Sequence, residues 1–286
     1  METYRLIVYF FIYGFAGWCV EVAFASVKER KFVNRGFLNG PICPVYGVGV
    51  GAVVTLLEPW KEHILLLYVA SVVLVTFIEW ITGYAMDKIF HHKWWDYSQM
   101  PLNIGGYVCL LFSLVWGIAC VIIMKVIHPL TEKLTEIMPV PLGMTLCIIF
   151  TAVLAADIAV TSAGILKLNK RMDAMEKIAA ELHEISDKMG INIHENVMDA
   201  VGKLEKLEEK KEEFREKYED FYDIGEDIKG DMRERFDEMK KRYEELAAAS
   251  TLVSRRLVKA FPKMESRKHR EILNELKERL EKRRPL

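Results

Sequence analysis

Long apolar runs separated by short polar stretches occupy the first 166 positions; beyond them charged residues dominate, with apolar ones recurring at helical spacing. A helix rises about 1.5 Å per residue, so crossing a hydrocarbon core of about 30 Å takes roughly 20 mostly apolar residues. Tyr4 to Val27, His63 to Met86, Leu102 to Ile127 and Leu142 to Leu166 each reach that length. Pro41 to Leu57 is shorter and carries Gly47, Gly49 and Gly51. Small residues let helices approach closely in lipid, so this segment is read as a fifth, tightly packed span rather than a re-entrant one.

The charged part predicts long helices. Ile178, Leu182, Ile185, Met189 and Ile193 share one stripe, Phe214, Tyr218 and Phe221 a second, and Met232, Phe236, Met239, Tyr243 and Leu246 a third. Such stripes need a partner surface, supplied by coiled-coil assembly with another copy, by another protein, or by folding back as a helical hairpin. Breaks are expected near Gly190, Gly225 and Gly230. The expected organisation is all-α: a polytopic membrane helix bundle over residues 1–166 and a charged helical, coiled-coil tail over 167–286 with a basic amphipathic end.

Charge fixes the expected orientation. The loop after the first span carries Lys28, Arg30, Lys31 and Arg35, and the loop after the third carries Lys88 and Lys93. With the tail, these fall on one side only for five spans, which puts the N-terminus outside and the C-terminus in the cytoplasm by the positive-inside rule. AFAS at 23–26 resembles a signal-peptide cleavage site, but the apolar run is longer than such cores and its basic cluster follows it, which suits a retained anchor.

Composition sharpens the division. Residues 1–166 hold 10 Lys/Arg and 11 Asp/Glu, against 29 and 29 in the remaining 120 residues, so the net charge of −1 averages two different materials. No basic patch marks a nucleic-acid partner. The five cysteines lie in or beside apolar segments without CxxC spacing and read as packing residues, with no disulfide or zinc site expected. In the last stretch, Arg255, Arg256, Lys259 and Lys263 suit either a solvated helix end or a surface for the acidic inner leaflet.

Polar residues inside apolar runs carry the chemistry. An ionised group at mid-bilayer costs at least about 2.5 kcal/mol, so Glu21, Glu79 and Asp157 should face a bundle interior, a partner or water. Thr161 or Thr151 offers Asp157 a hydrogen-bonding neighbour. The stretch GFLNGPICPVYG at 36–47 contains backbone tolerated at membrane depth only when buried or lining a cavity. HHKWWDYSQMP at 91–101 supplies Trp94 and Trp95 as interfacial anchors, with His91 and His92 expected in solvent. The expected polar cavity gathers Glu21, Asn39, Tyr46, Glu79, Asp96, Tyr97, Asn103 and Asp157. Asp87 or Asp96 with the two histidines gives no fixed ligand geometry, so no metal and no cofactor are assigned.

The sequences GWCVEV, FLNGPICPVYG, FIEWITGYAMDKIF, WWDYSQMPLNIGGYVCL and SLVWG together resemble the bacterial family of ABC-transporter permeases of the CmpB type. EWITG followed by WDYS is also similar to a small animal transmembrane family. The resemblance covers residues 1 to about 166. Glu21, Asn39, Pro41, Tyr46, Glu79, Trp80, Gly83, Trp95, Asp96, Tyr97 and Asn103 fall on the family's motif positions, without an established catalytic role.

No GxxxxGK[ST] loop occurs, so a permease of this kind requires a separate ATPase subunit. The expected function is a transporter permease subunit in the bacterial inner membrane, multi-pass, surrounded by membrane lipids, with a cytoplasmic tail that makes a homo-oligomer or docks a partner. Two alternatives stand beside it. One is an enzyme acting on a lipid or isoprenoid, with Glu79 and Asp96 as acid and base. The other is a membrane-anchored scaffold or sensor. No recognised catalytic motif accompanies the enzyme reading.

Overall fold

The computed structural model describes residues 3–206 and 216–282. It divides into two units, one formed by residues 1–168 together with 251–286 and the other by 169–250. The charged part thus separates at Ser250, and its last segment belongs with the apolar helices.

In the first unit, α1 (Thr3–Glu29) and α3 (Ile64–Phe90) follow two of the apolar runs. Between them lies α2 (Pro44–Leu56), started by a proline whose missing N–H has no helical partner to lose. A short 3-10 turn (Glu58–Trp60) leads to α3. Then come strands β1 (His92–Lys93), β2 (Asn103–Ile104) and β3 (Val108–Cys109), followed by α4 (Leu110–Ile122), a π turn (Ile123–Ile127) and α5 (His128–Ile137). Helix α6 (Val140–Lys206) starts in the first unit and continues into the second.

Among the described residues four helices are long and apolar enough to cross a membrane: Tyr4–Glu29, Ile64–Phe90, Leu110–Ile137 and the apolar part of α6. α2 is apolar but shorter. The expected span from Leu102 to Ile127 is displaced toward the C-terminus. Its first residues form the β2–β3 hairpin instead, with Asn103 opposite Cys109 and Ile104 opposite Val108. Leu102, Gly105 and Gly106 all have positive φ there, which no helix accommodates. At the other end the π turn carries the helix through to Pro129, which sits in the first turn of α5 where its absent donor is tolerated.

The core of this unit surrounds α2. Val50, Val53, Val54 and Leu57 meet Tyr9 and Tyr13 of α1, Leu67 of α3, Cys120 of α4 and Met124 of the π turn. α1 packs on α2 and α3 on α4. Gly17 makes the first contact possible: a Cβ there would overlap the Tyr46 ring. Polar pairs supplement it, with Tyr13 Oη 3.0 Å from His128 Nδ1 and Tyr9 Oη 3.3 Å from Thr135 Oγ1.

The C-terminal segment contributes α8 (Leu252–Ala260), β4 (Glu265–Ser266) and α9 (Arg270–Lys282), α7 (Glu216–Ala248) lying in the second unit. Thr251 caps α8 by accepting from Ser254 N–H at 3.1 Å, and Ser254 Oγ accepts in return from Thr251 N–H. β4 pairs antiparallel with β1, setting His92 opposite Ser266 and Lys93 opposite Glu265. His92, expected in solvent, is buried. The strand pairing turns it inward, whereas His91 ends α3 with a φ of 59° and stays exposed.

In the second unit the expected helix breaks are absent: α6 runs through Gly190, and α7 through Gly225 and Gly230. A single glycine costs about 1 kcal/mol in a helix, which long neighbouring stretches of good helix formers offset. Leu182, Ile185 and Met189 continue a stripe that begins at the buried Met172, Met175 and Ile178. Met232, Phe236, Met239, Tyr243 and Leu246 form the half-buried stripe of α7. Ile193 and the stripe of Phe214, Tyr218 and Phe221 lie outside the described side chains.

Candidate functional site

Six of the eight expected cavity residues fall into three bonded groups around the 30–43 and 91–109 loops, and Glu79 and Tyr97 lie beside the first of them. The first joins α1, α2 and the loop between them. Tyr46 donates to Glu21 Oε1 at 2.7 Å, and Arg35 Nε lies 3.1 Å from Glu21 Oε2. The Tyr46 ring meets Trp116 of α4 edge to face at 5.7 Å. Glu79 of α3 belongs to the same neighbourhood. Its Oε2 is enclosed and meets no hydrogen-bond donor among the described residues. Tyr97 senses the group electrostatically: burial raises its hydroxyl pKa first, the charges of Glu79, Cys109 and Glu21 add to that, and Arg35 opposes them.

A second group fixes the 36–40 loop from both sides. Asp157 Oδ1 accepts from Asn39 N–H at 3.1 Å and from Asn39 Nδ2 at 2.8 Å, while Oδ2 accepts from Gly40 N–H at 2.7 Å. Thr161 donates to the same carboxylate at 3.1 Å, which supplies the expected neighbour. From the other side Arg256 donates to Gly36 O at 2.7 Å, Phe37 O at 2.6 Å and Asn39 Oδ1 at 3.0 Å. Asn39 is therefore shared between an anion and a guanidinium. Burial lowers the Arg256 pKa, and Asp157 opposes that shift.

Asp96 and Asn103 form a third group, confined to their own loop. Asp96 accepts from Ser98 N–H at 3.0 Å and Ser98 Oγ at 2.7 Å, with Lys93 Nζ at 3.4 Å. Burial opposes ionisation of Asp96, but Ser98 and Lys93 outweigh it and hold the carboxyl below its ordinary pKa. Asn103 donates to Ser98 O and Met100 O and accepts from Gly106 N–H. Both side chains are occupied in shaping the turn.

The two tryptophans also have interior partners. Trp94 is 5% exposed and meets the edges or faces of Phe37, Phe90 and Phe261. It thereby joins the first loop, α3 and the C-terminal segment. Trp95 donates from Nε1 to Tyr107 O at 2.8 Å.

One constellation has no counterpart in the sequence reading. Asp87, buried near the end of α3, receives Arg267 Nη2 at 2.5 Å, Arg267 Nε at 3.1 Å and the Tyr107 hydroxyl at 2.5 Å. Arg267 N–H also donates to His91 O at 3.0 Å. These hydrogen bonds hold Arg267 cationic, with its pKa raised chiefly by Asp87. No spacing rule connects positions so far apart; the only local hint was a buried-side aspartate in the last turn of an apolar helix, where the dipole favours a cation instead. Among the described residues no group of three or more His, Cys, Asp or Glu gathers to hold a metal ion.

Residues 8–162 match the family described as putative ABC-transporter type IV, of the CmpB kind. The match takes in Glu21, Asn39, Tyr46, Glu79, Asp87 and Asp157, and stops before Arg256 and Arg267. No curated protein and no solved structure matches the chain.

Proposed function

The chain belongs to the putative ABC-transporter type IV family, and on that footing we propose that it is the membrane-spanning subunit of a transporter whose ATPase is a separate protein. The observation that carries the proposal is the enclosed, unpartnered oxygen of Glu79 beside the Glu21, Tyr46 and Arg35 cluster. A carboxylate inside apolar helices is costly to retain, and an open acceptor there suits a ligand that brings its own donor or proton.

Five crossings, with the N-terminus outside, fit the arrangement best. α2 then serves as a short span between α1 and α3, which is favoured by its apolar sequence and its burial among the longer helices. The loops after α1 and α3 share one end with the C-terminal segment through Arg256, Arg267 and the β1–β4 pairing. Both loops are the basic ones, which supports a cytoplasmic position for that end. The 169–250 unit, with its two apolar stripes, is the proposed dock for a second copy or the ATPase.

The test is purification of the intact protein from its native membrane in mild detergent, with mass spectrometry of stoichiometric partners. Recovery of a nucleotide-binding ATPase supports the transporter subunit. Recovery of the protein alone overturns it and favours a self-sufficient membrane enzyme acting on lipids. Substrate movement that is unchanged in Glu79→Gln would separately remove the site.

A further inference from the structure

Helix α3 carries a row of oxygens of which the candidate site uses only one. Val72 packs on α4, where a Cβ added to Gly117 would overlap it. Thr76 and Glu79 follow on the same helix face, and Gly83 ends the row against Tyr107 and Trp95. Ser71, fully buried, lies on the turn before Thr76.

Ser71 Oγ, Thr76 Oγ1 and Glu79 Oε2 are enclosed, and none of the three meets a hydrogen-bond partner among the described residues. Unpartnered polar atoms inside a protein are rare enough that three on one apolar helix call for a common cause. Long side chains on a helix lean toward its N-terminus, so the Glu79 carboxyl reaches back over the turn of Thr76, with Ser71 on the turn beyond. One turn farther, Leu67 shares a core cluster with Tyr13, whose hydroxyl lies 3.0 Å from Nδ1 of the buried His128. The polar line thus runs from His128 and Tyr13 past Ser71 and Thr76 to Glu79.

Its two ends sit among other titratable groups. Glu21 of α1, Arg35, Tyr46 of α2, and Tyr97 and Cys109 of the 91–109 loop share the neighbourhood of Glu79, while Glu58, Lys61 and Glu132 act on His128. Cys120 of α4 lines the core between them. Arg35 is engaged by Glu21, and Glu79 makes no ion pair among the described residues. Enclosure decides the class of ligand. A metal ion or an ammonium group needs a cavity lined by several acceptors, whereas a proton takes no volume and passes between carboxylate, hydroxyl and imidazole groups.

We propose that this line is a proton path, with Glu79 as the proton-binding group and the hydroxyls of Ser71 and Thr76 leading to the Tyr13–His128 pair. The proton is then an ion that the membrane subunit moves, a conclusion that rests on the membrane-spanning reading above. Uptake forms one O–H bond at Glu79 Oε2 and turns the carboxylate into the neutral acid; release to the other side breaks that bond and no other.

The experiment reconstitutes the intact protein in liposomes holding a trapped pH-sensitive dye and applies a potassium gradient with valinomycin. Proton flux above that of protein-free liposomes is expected, falling to the protein-free rate in Glu79→Gln and several-fold in the double variant Ser71→Ala, Thr76→Val. Thermal unfolding in detergent separates path from scaffold: hydroxyls without partners stabilise nothing, so the double variant should unfold at the parent's temperature or above it. Infrared spectra on acidification should show a protonated-carboxyl band that Glu79→Gln lacks. Wild-type flux equal to the protein-free rate, or full flux in both variants, would overturn the proposal. Flux with no ATPase among the co-purified partners would keep the proton path and remove the transporter-subunit reading; an ATPase partner with no flux would do the reverse. Failure of the parent to enter liposomes would overturn both.

Discussion

Arg267 reaches across 180 positions of sequence to close on Asp87, with Nη2 at 2.5 Å from Oδ2 and Nε at 3.1 Å from both oxygens. The aspartate side chain is 7% exposed and the arginine 52%, so the bond joins a buried anion to a half-solvated cation. Truncating Arg267 to alanine leaves Asp87 with the Tyr107 hydroxyl alone. Because the cation is half exposed, the expected loss is about 1–3 kcal/mol, below that of a fully buried pair. Limited proteolysis should cut within residues 251–282 faster in Arg267→Ala. A double-mutant cycle with Asp87→Ala should show non-additivity of at least about 0.5 kcal/mol.

The 36–40 loop should loosen when either of its holders is removed. Asp157→Asn can no longer accept on both sides, and Arg256→Gln cannot bridge three oxygens. Cys43, buried just beyond this loop, supplies the readout. Its alkylation by a maleimide, mapped by mass spectrometry, should accelerate several-fold in both variants. Unchanged labelling of Cys43 would show that the loop is held by other contacts.

Gly17 is expected to tolerate no side chain. A methyl group at that position meets the Tyr46 ring, and overpacking of this kind costs typically 1–3 kcal/mol. Gly17→Val should lower the unfolding temperature in detergent by several degrees, and relocation of Tyr46 should weaken its bond to Glu21. A variant as stable as the parent would mean that α1 and α2 separate without loss.

Asp96 predicts a pH dependence of the 93–107 loop. Its pKa is lowered in the folded protein, so its contribution is full above the ordinary aspartate value of about 3.9 and is lost as pH falls through the folded one. Hydrogen exchange of the Ser98 region, corrected for intrinsic rate, should therefore lose protection only below about pH 4. Asp96→Asn should abolish that dependence. Loss of protection starting near neutral pH would point to a different group.

Apolar run length was sufficient to locate α1, α3 and the apolar part of α6, because a run of that length and composition leaves so few backbone solutions. The fourth run misled at its start. Leu102 and Ile104 look like helix residues by composition, but Gly105 and Gly106 take positive φ and Asn103 bonds the turn into a hairpin. Of the candidate site residues, Glu21 and Tyr46 were legible as polar groups in apolar runs and are bonded to each other. The partners Arg256 and Arg267 were not, since Arg256 meets Phe37 from 219 positions away and nothing local distinguishes either arginine from the exposed cations around it. Trp94 illustrates the same limit. An aromatic residue between two apolar runs suits the membrane interface on general grounds, and it is Phe261, coming from the far end of the chain to join Phe37 and Phe90, that helps make it interior.

The pairing of β1 with β4 has a consequence for the order in which the protein is made. His92 and Lys93 leave the ribosome long before Glu265 and Ser266, so the apolar helices are made while the surfaces around Phe90, Trp94 and Asp87 still lack their cover. A chain cut short before Phe261 would leave those surfaces bare. Completion of translation is therefore written into the folded state.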